Sequence, residues 1–67
     1  MEVEAVLHEG MWYVAIRTPG APTDLCSAQQ ACDRAMSAEK RGDTERAKQL
    51  RNVAADVKQR NAKLGAR

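Results

Sequence analysis

Apolar and polar side chains alternate along the first quarter of the chain, and later give way to a spacing of three and four that runs nearly to its end. From Glu2 to Thr18 the period is two, the signature of a half-buried strand. A two-residue loop at Glu9 and Gly10 sets Leu7 opposite Trp12, Ala5 opposite Val14 and Val3 opposite Ile16, so every apolar pair falls on one side of a hairpin. The other side pairs Glu2 with Arg17, an expected ion pair, and sets Glu4 against Ala15 and Val6 against Tyr13. Glu-Gly suits a type I′ turn less well than Asn-Gly, so a loop of three or four residues is the alternative.

Pro19, Gly20 and Pro22 break the alternation and predict a linker over residues 19–22. A first helix is expected over residues 23–41, capped by Thr23 or Asp24. Its apolar face runs through Leu25, Ala28, Cys32 and Ala35, widened by Ala31, Met36 and Ala38. Lys40 and Arg41 suit its negative end, and Gly42 its termination. A second helix over residues 43–64, capped by Asp43 or Thr44, carries the stripe Ala47, Leu50, Ala54, Val57, Asn61 and Leu64. So short a connection makes the helices antiparallel neighbours, and alanines on both allow close approach. The expected fold is a single α+β domain over residues 1–67: a β-hairpin (residues 2–18) followed by an antiparallel helical hairpin (ββαα).

Large apolar side chains are few in these 67 residues, and phenylalanine is absent. A core this light is marginal for a lone subunit, so a homodimer is expected, with Trp12, Leu50, Ala54, Val57, Asn61 and Leu64 in core or subunit packing. Asn61 holds a polar group where an apolar one would continue the stripe. It either fixes register and partner number or lies solvated in the last turn. Cys26 and Cys32, placed in one helix, stand about 240° and about 9 Å apart and cannot bridge within it. No zinc-binding spacing accompanies them, which implies free thiols in a reducing compartment, or else a disulfide between subunits. No metal and no cofactor are expected. The start lacks the character of a signal peptide and no stretch reaches membrane-spanning length, so the expected location is cytoplasmic.

Charge is unevenly spread. Residues 1–39 hold two arginines against six carboxylates, and residues 40–67 hold nine lysines and arginines against three carboxylates. On the second helix Arg51 and Lys58 flank one side of the apolar stripe, Arg60, Lys63 and Arg67 the other, and Lys48 lies at the back. A nucleic-acid reader gathers basic groups on one outward face, so this split favours a protein partner, with a small DNA-binding regulator as the alternative. Met11, Trp12 and Tyr13 gather both of the chain's aromatics. Trp12 faces the core, while Met11 and Tyr13 point outward beside Val6, residue types enriched where proteins meet. Met11, Tyr13, Arg51, Lys58, Arg60 and Lys63 are therefore the expected partner-binding residues. His8 beside Glu9, and Glu2 with Glu4 on one strand face, make no catalytic constellation, so no enzymatic activity is expected.

The run Arg41-Gly42-Asp43-Thr44-Glu45-Arg46-Ala47 resembles the helix junction of a tetratricopeptide repeat over about one turn, without that repeat's large aromatics and with Arg51 where it carries a bulky apolar residue. A strand followed by two helices resembles ribbon-helix-helix repressors, but a full hairpin and longer helices depart from them. In small size, lack of a catalytic constellation, expected dimer and hairpin-plus-helices layout the chain resembles the small accessory proteins with which bacteriophages disable host proteins, among them the quorum-sensing anti-activators of Pseudomonas phages and the anti-CRISPR proteins. The anti-activator resemblance implies a dimer that masks the DNA-binding domain of a LuxR-type regulator and interferes with a pilus assembly ATPase. The expected partner is a host protein with an acidic or DNA-facing surface, met without any membrane.

Overall fold

In the computed structural model, which describes residues 2–65, strands β1 (Glu2–His8), β2 (Met11–Arg17) and β3 (Asp24–Cys26) form an antiparallel sheet in that order. Helices α1 (Ala28–Lys40) and α2 (Thr44–Gly65) follow. Arg67, expected on one flank of α2, lies outside the described residues.

The hairpin has the register its alternation demands, with Leu7 opposite Trp12, Ala5 opposite Val14 and Val3 opposite Ile16. Glu9 and Gly10 both take positive φ, 50° and 83°, the signature of a two-residue type I′ loop, so the longer loop is not used. The ion pair shifts by two residues. Arg17 reaches diagonally to Glu4, two residues along the same face, instead of to its direct neighbour Glu2.

The linker and first helix differ from expectation. Pro19 and Gly20 form a tight turn closed by the Ala21 N–H donating to the Thr18 carbonyl at 3.1 Å. The chain then returns alongside β2 as a third strand, with Val14 opposite Cys26, Ala15 opposite Leu25 and Ile16 opposite Asp24. Leu25 and Cys26 therefore belong to the sheet, and Thr23 and Asp24 cap nothing. Helix α1 begins four residues later, behind a reciprocal cap: Ser27 Oγ accepts from the Gln30 N–H at 3.1 Å, and Gln30 Oε1 accepts from the Ser27 N–H at 2.9 Å. Since Cys26 lies in a strand and Cys32 in a helix, the one-helix geometry expected for them does not apply; both thiols are free.

The junction between the helices closes tightly. Gly42, at φ 84°, donates to the Glu39 carbonyl, and Asp43 donates to the Ala38 carbonyl, each at 2.9 Å. These two bonds define the left-handed helix stop that glycine permits. Asp43 then caps α2, its carboxylate accepting from the Arg46 N–H at 3.3 Å.

Both helices lie on one face of the sheet. Ala31, Ala35 and Ala38 of α1, at helical spacing, meet Ala47, Leu50, Ala54 and Val57 of α2, and the cluster continues into Val14, Ile16 and Cys26. Val3, Ala5, Trp12, Ala28 and Val53 pack at its margin. On α1 only the alanine side of the expected face is buried; Cys32 and Met36 point to solvent, Met36 being 54% exposed. With Ala as the main contact residue the helices approach closely enough to seal a core that lacks phenylalanine.

Candidate interaction surfaces

Trp12 is the point where sheet and α2 lock together. In an antiparallel ladder alternate residues turn their main-chain groups toward opposite neighbours. His8 and Met11 close the two-residue loop, so Trp12, Val14 and Ile16 turn toward β3. Cys26 and Asp24 meet Val14 and Ile16, but β3 ends before it reaches Trp12. The Asn61 side chain fills the gap: the Trp12 N–H donates to Asn61 Oδ1 at 2.8 Å, and Asn61 Nδ2 donates to the Trp12 carbonyl at 3.0 Å. Of the two roles expected for Asn61, solvation in a loose last turn is excluded, because its amide completes the sheet. Arg60 lies over the indole ring, its guanidinium carbon 4.4 Å from the centroid, while its Nε donates to Asp56 at 3.0 Å.

The side of the sheet away from the helices forms a separate surface. It carries Val6, His8, Met11, Tyr13, Ala15 and Leu25, with the Arg17–Glu4 pair along one margin. Ala15 is fully buried there, on the central strand between Glu4 and Leu25. Around it Met11 is 51% and Leu25 42% exposed. His8 meets Tyr13 edge to face, ring centroids 6.1 Å apart. Leu25 joins this surface only through β3. A three-residue strand shows no readable alternation, whereas Ser27 three places before Gln30 was the available sign that the helix starts later and leaves Leu25 free for the sheet.

The six residues expected to bind a partner are not gathered into one patch. Met11 and Tyr13 share the outer sheet face. Arg51 and Lys58 instead line a shallow groove between the helices with Ala28, Gln29, Cys32, Ala54 and Ala55. Arg51 is ion-paired to Glu39 of α1. Arg60 is held by Trp12 and Asp56, and Lys63 stands exposed near the end of α2. Of the packing residues, Leu50, Ala54 and Val57 are buried as expected, Trp12 and Asn61 are half-buried, and Leu64 is 40% exposed, beyond the end of the core.

The arginines are largely committed within the fold. Arg34 pairs with Asp24 at 2.6 Å and Arg46 with Asp43 at 3.6 Å, besides the pairs of Arg17, Arg51 and Arg60. Burial pushes the Cys26 thiol above its ordinary range, nearby Asp24 adds to the shift and Arg34 opposes it, so at neutral pH this group is a protonated thiol. Among the described residues no three His, Cys, Asp or Glu side chains gather as a metal site, and no helix is long and apolar enough to cross a membrane. Comparison with protein-family models, curated proteins and solved structures returns no match.

Proposed function

We propose that this chain is a small non-enzymatic interaction module that binds a partner protein and inhibits it by occlusion, as a phage accessory protein acts on a host transcription regulator. One observation carries the reading: both helices cover the same side of the sheet, leaving Val6, Met11, Tyr13 and Leu25 uncovered around buried Ala15. A face of this composition, with an Arg–Glu pair at its rim, resembles the apolar centre and polar margin of a protein interface. Lys48, Lys58 and Lys63 of α2 are exposed and would steer the module toward an acidic or DNA-facing surface in the cytoplasm.

The rival is direct DNA binding through α2. It is weakened by the pairing of Arg51 with Glu39 and of Arg60 with Asp56, each of which sets a carboxylate beside a cation that a phosphate would need. Titration of random duplex DNA at several salt concentrations separates the two readings. The interaction reading expects no sub-micromolar affinity, and capture of a defined protein from host lysate that is lost in Met11→Ser with Tyr13→Ser. Tight DNA binding that falls steeply with salt, with no protein captured, contradicts it.

A further inference from the structure

The two edges of the sheet are treated differently. On the β3 side the strand is three residues long, preceded by the Pro19-Gly20 turn and Pro22 and followed by the Ser27 cap, and Asn61 occupies the remaining main-chain groups at Trp12. On the β1 side a seven-residue strand, Glu2–His8, lies at the edge with no proline, no lysine and no bulge in its pairing with β2. Natural sheets use such devices to blunt an edge that must stay single. Val3, Ala5 and Leu7 are the residues whose N–H and C=O turn away from β2, toward this open edge. Beside it runs a shallow groove lined by Glu2, Val3, Glu4, Gln49, Asn52 and Val53. Leu7, on the helix-facing side, is left 58% exposed at the end of the strand.

The geometry points to a second copy of this chain as the occupant: β1 pairs antiparallel with β1 of its partner about a two-fold axis at Ala5, giving a continuous six-stranded sheet. The strand is self-complementary in this register and in no other that uses its full length. Ala5 meets its own copy, Val3 meets Leu7 and Leu7 meets Val3, each as a hydrogen-bonded pair, for about six new main-chain hydrogen bonds. On the helix-facing side the row Trp12, Leu7, Val3, Ile16 then runs unbroken across the axis and covers Leu7. On the outer side Glu2 falls opposite His8 of the other copy and Glu4 opposite Val6. Glu4 is already held by Arg17, whereas Glu2 has no ion-pair partner among the described residues, so the unspent carboxylate is the one that meets a histidine. A slip by two residues either way sets the Glu9 loop or residue 1 against the strand and abandons these pairs. The assembly doubles the outer face proposed above as the docking surface, although the pairing itself rests on the edge alone.

The test is sedimentation of the full chain together with cysteine cross-linking in a Cys32→Ser background, Cys26 being buried. Expected are a dimer at micromolar concentration, at least tenfold weaker association in Leu7→Lys with an unchanged circular dichroism spectrum, and a disulfide-linked dimer when Glu4→Cys protein is mixed with Val6→Cys protein, directly opposite at about 4.5 Å between Cα atoms. Mixing Tyr13→Cys with Val6→Cys should give no cross-link. A monomer at 100 micromolar or so overturns the proposal, as does a dimer indifferent to Leu7→Lys that fails to cross-link between positions 4 and 6. A monomer that still captures its partner sinks the edge pairing alone. A cross-linked dimer that captures nothing supports the pairing and sinks only the docking reading.

Discussion

The carboxamide of Asn61 stands beside Trp12 where β3, continued by two residues, would have paired, accepting from its N–H and donating to its carbonyl as a strand neighbour does. One side chain near the end of α2 thus closes the sheet edge and ties α2 to the central strand. Asn61→Leu leaves both main-chain groups without partners and should cost about 1–3 kcal/mol, read by urea denaturation followed through the fluorescence of Trp12. Asn61→Asp keeps the acceptor but sets a carboxylate oxygen against the Trp12 carbonyl, and should not recover the loss. Wild-type stability in Asn61→Leu would show that the amide does not close the edge.

The alanine seam between the helices makes a prediction with an internal control. Ala35 is fully buried in the seam, whereas its neighbour Met36 is over half exposed. Ala35→Leu must push the helices apart and should destabilise by about 1–3 kcal/mol, while Met36→Ala should change stability by less than about 0.5 kcal/mol. Thermal melts of the two variants check this, and equal effects would contradict the placement of the seam.

How much of this was legible in the sequence depends on how long each pattern persists. The hairpin register could be read because seven residues on each side alternate, and a one-residue slip would have turned every apolar group to water. The stripe of α2 spans several turns and could be read for the same reason. Strand β3 is too short to alternate, and Thr23-Asp24 imitates a helix cap, so the local pattern predicts helix at Leu25 and Cys26, where the structure has strand. Leu25 therefore reaches the outer face with no alternation to signal it, whereas Met11, Tyr13 and Val6 follow from the alternation of the hairpin. The Asn61 contact bridges residues 49 apart, and no local pattern encodes it. What the sequence does show is a polar residue on an apolar stripe, which marks a position needing a specific partner without naming it.

The turn at Glu9 holds a non-glycine residue in the left-handed region, at φ 50°. Glu9→Asn removes part of that cost, because asparagine tolerates this conformation, and should stabilise the chain by about 0.5–1 kcal/mol. A lowered melting temperature would contradict the type I′ assignment.

The two thiols should separate cleanly by reactivity. Cys32 is exposed and Cys26 is buried with its thiol pushed upward. A thiol-specific chromogenic reagent should label Cys32 at once at neutral pH, and Cys26 only at the rate of unfolding. Since the folded state disfavours the Cys26 thiolate, the stability this thiol contributes is full below the ordinary thiol range and is lost as pH rises through its raised pKa. Denaturation midpoints should therefore fall on the alkaline side in wild type and fall less in Cys26→Ala. Rapid labelling of both thiols would show that Cys26 is not in the core.

The central claim is that the uncovered side of the sheet meets the partner protein. Placing a photo-crosslinking amino acid at Tyr13, on that face, and separately at Lys48, on the exposed back of α2, tests it most directly in host cells. A single protein adduct from position 13, abolished by Met11→Ser and absent from position 48, is the predicted result. Adducts from position 48 alone, or only to nucleic acid, would contradict it.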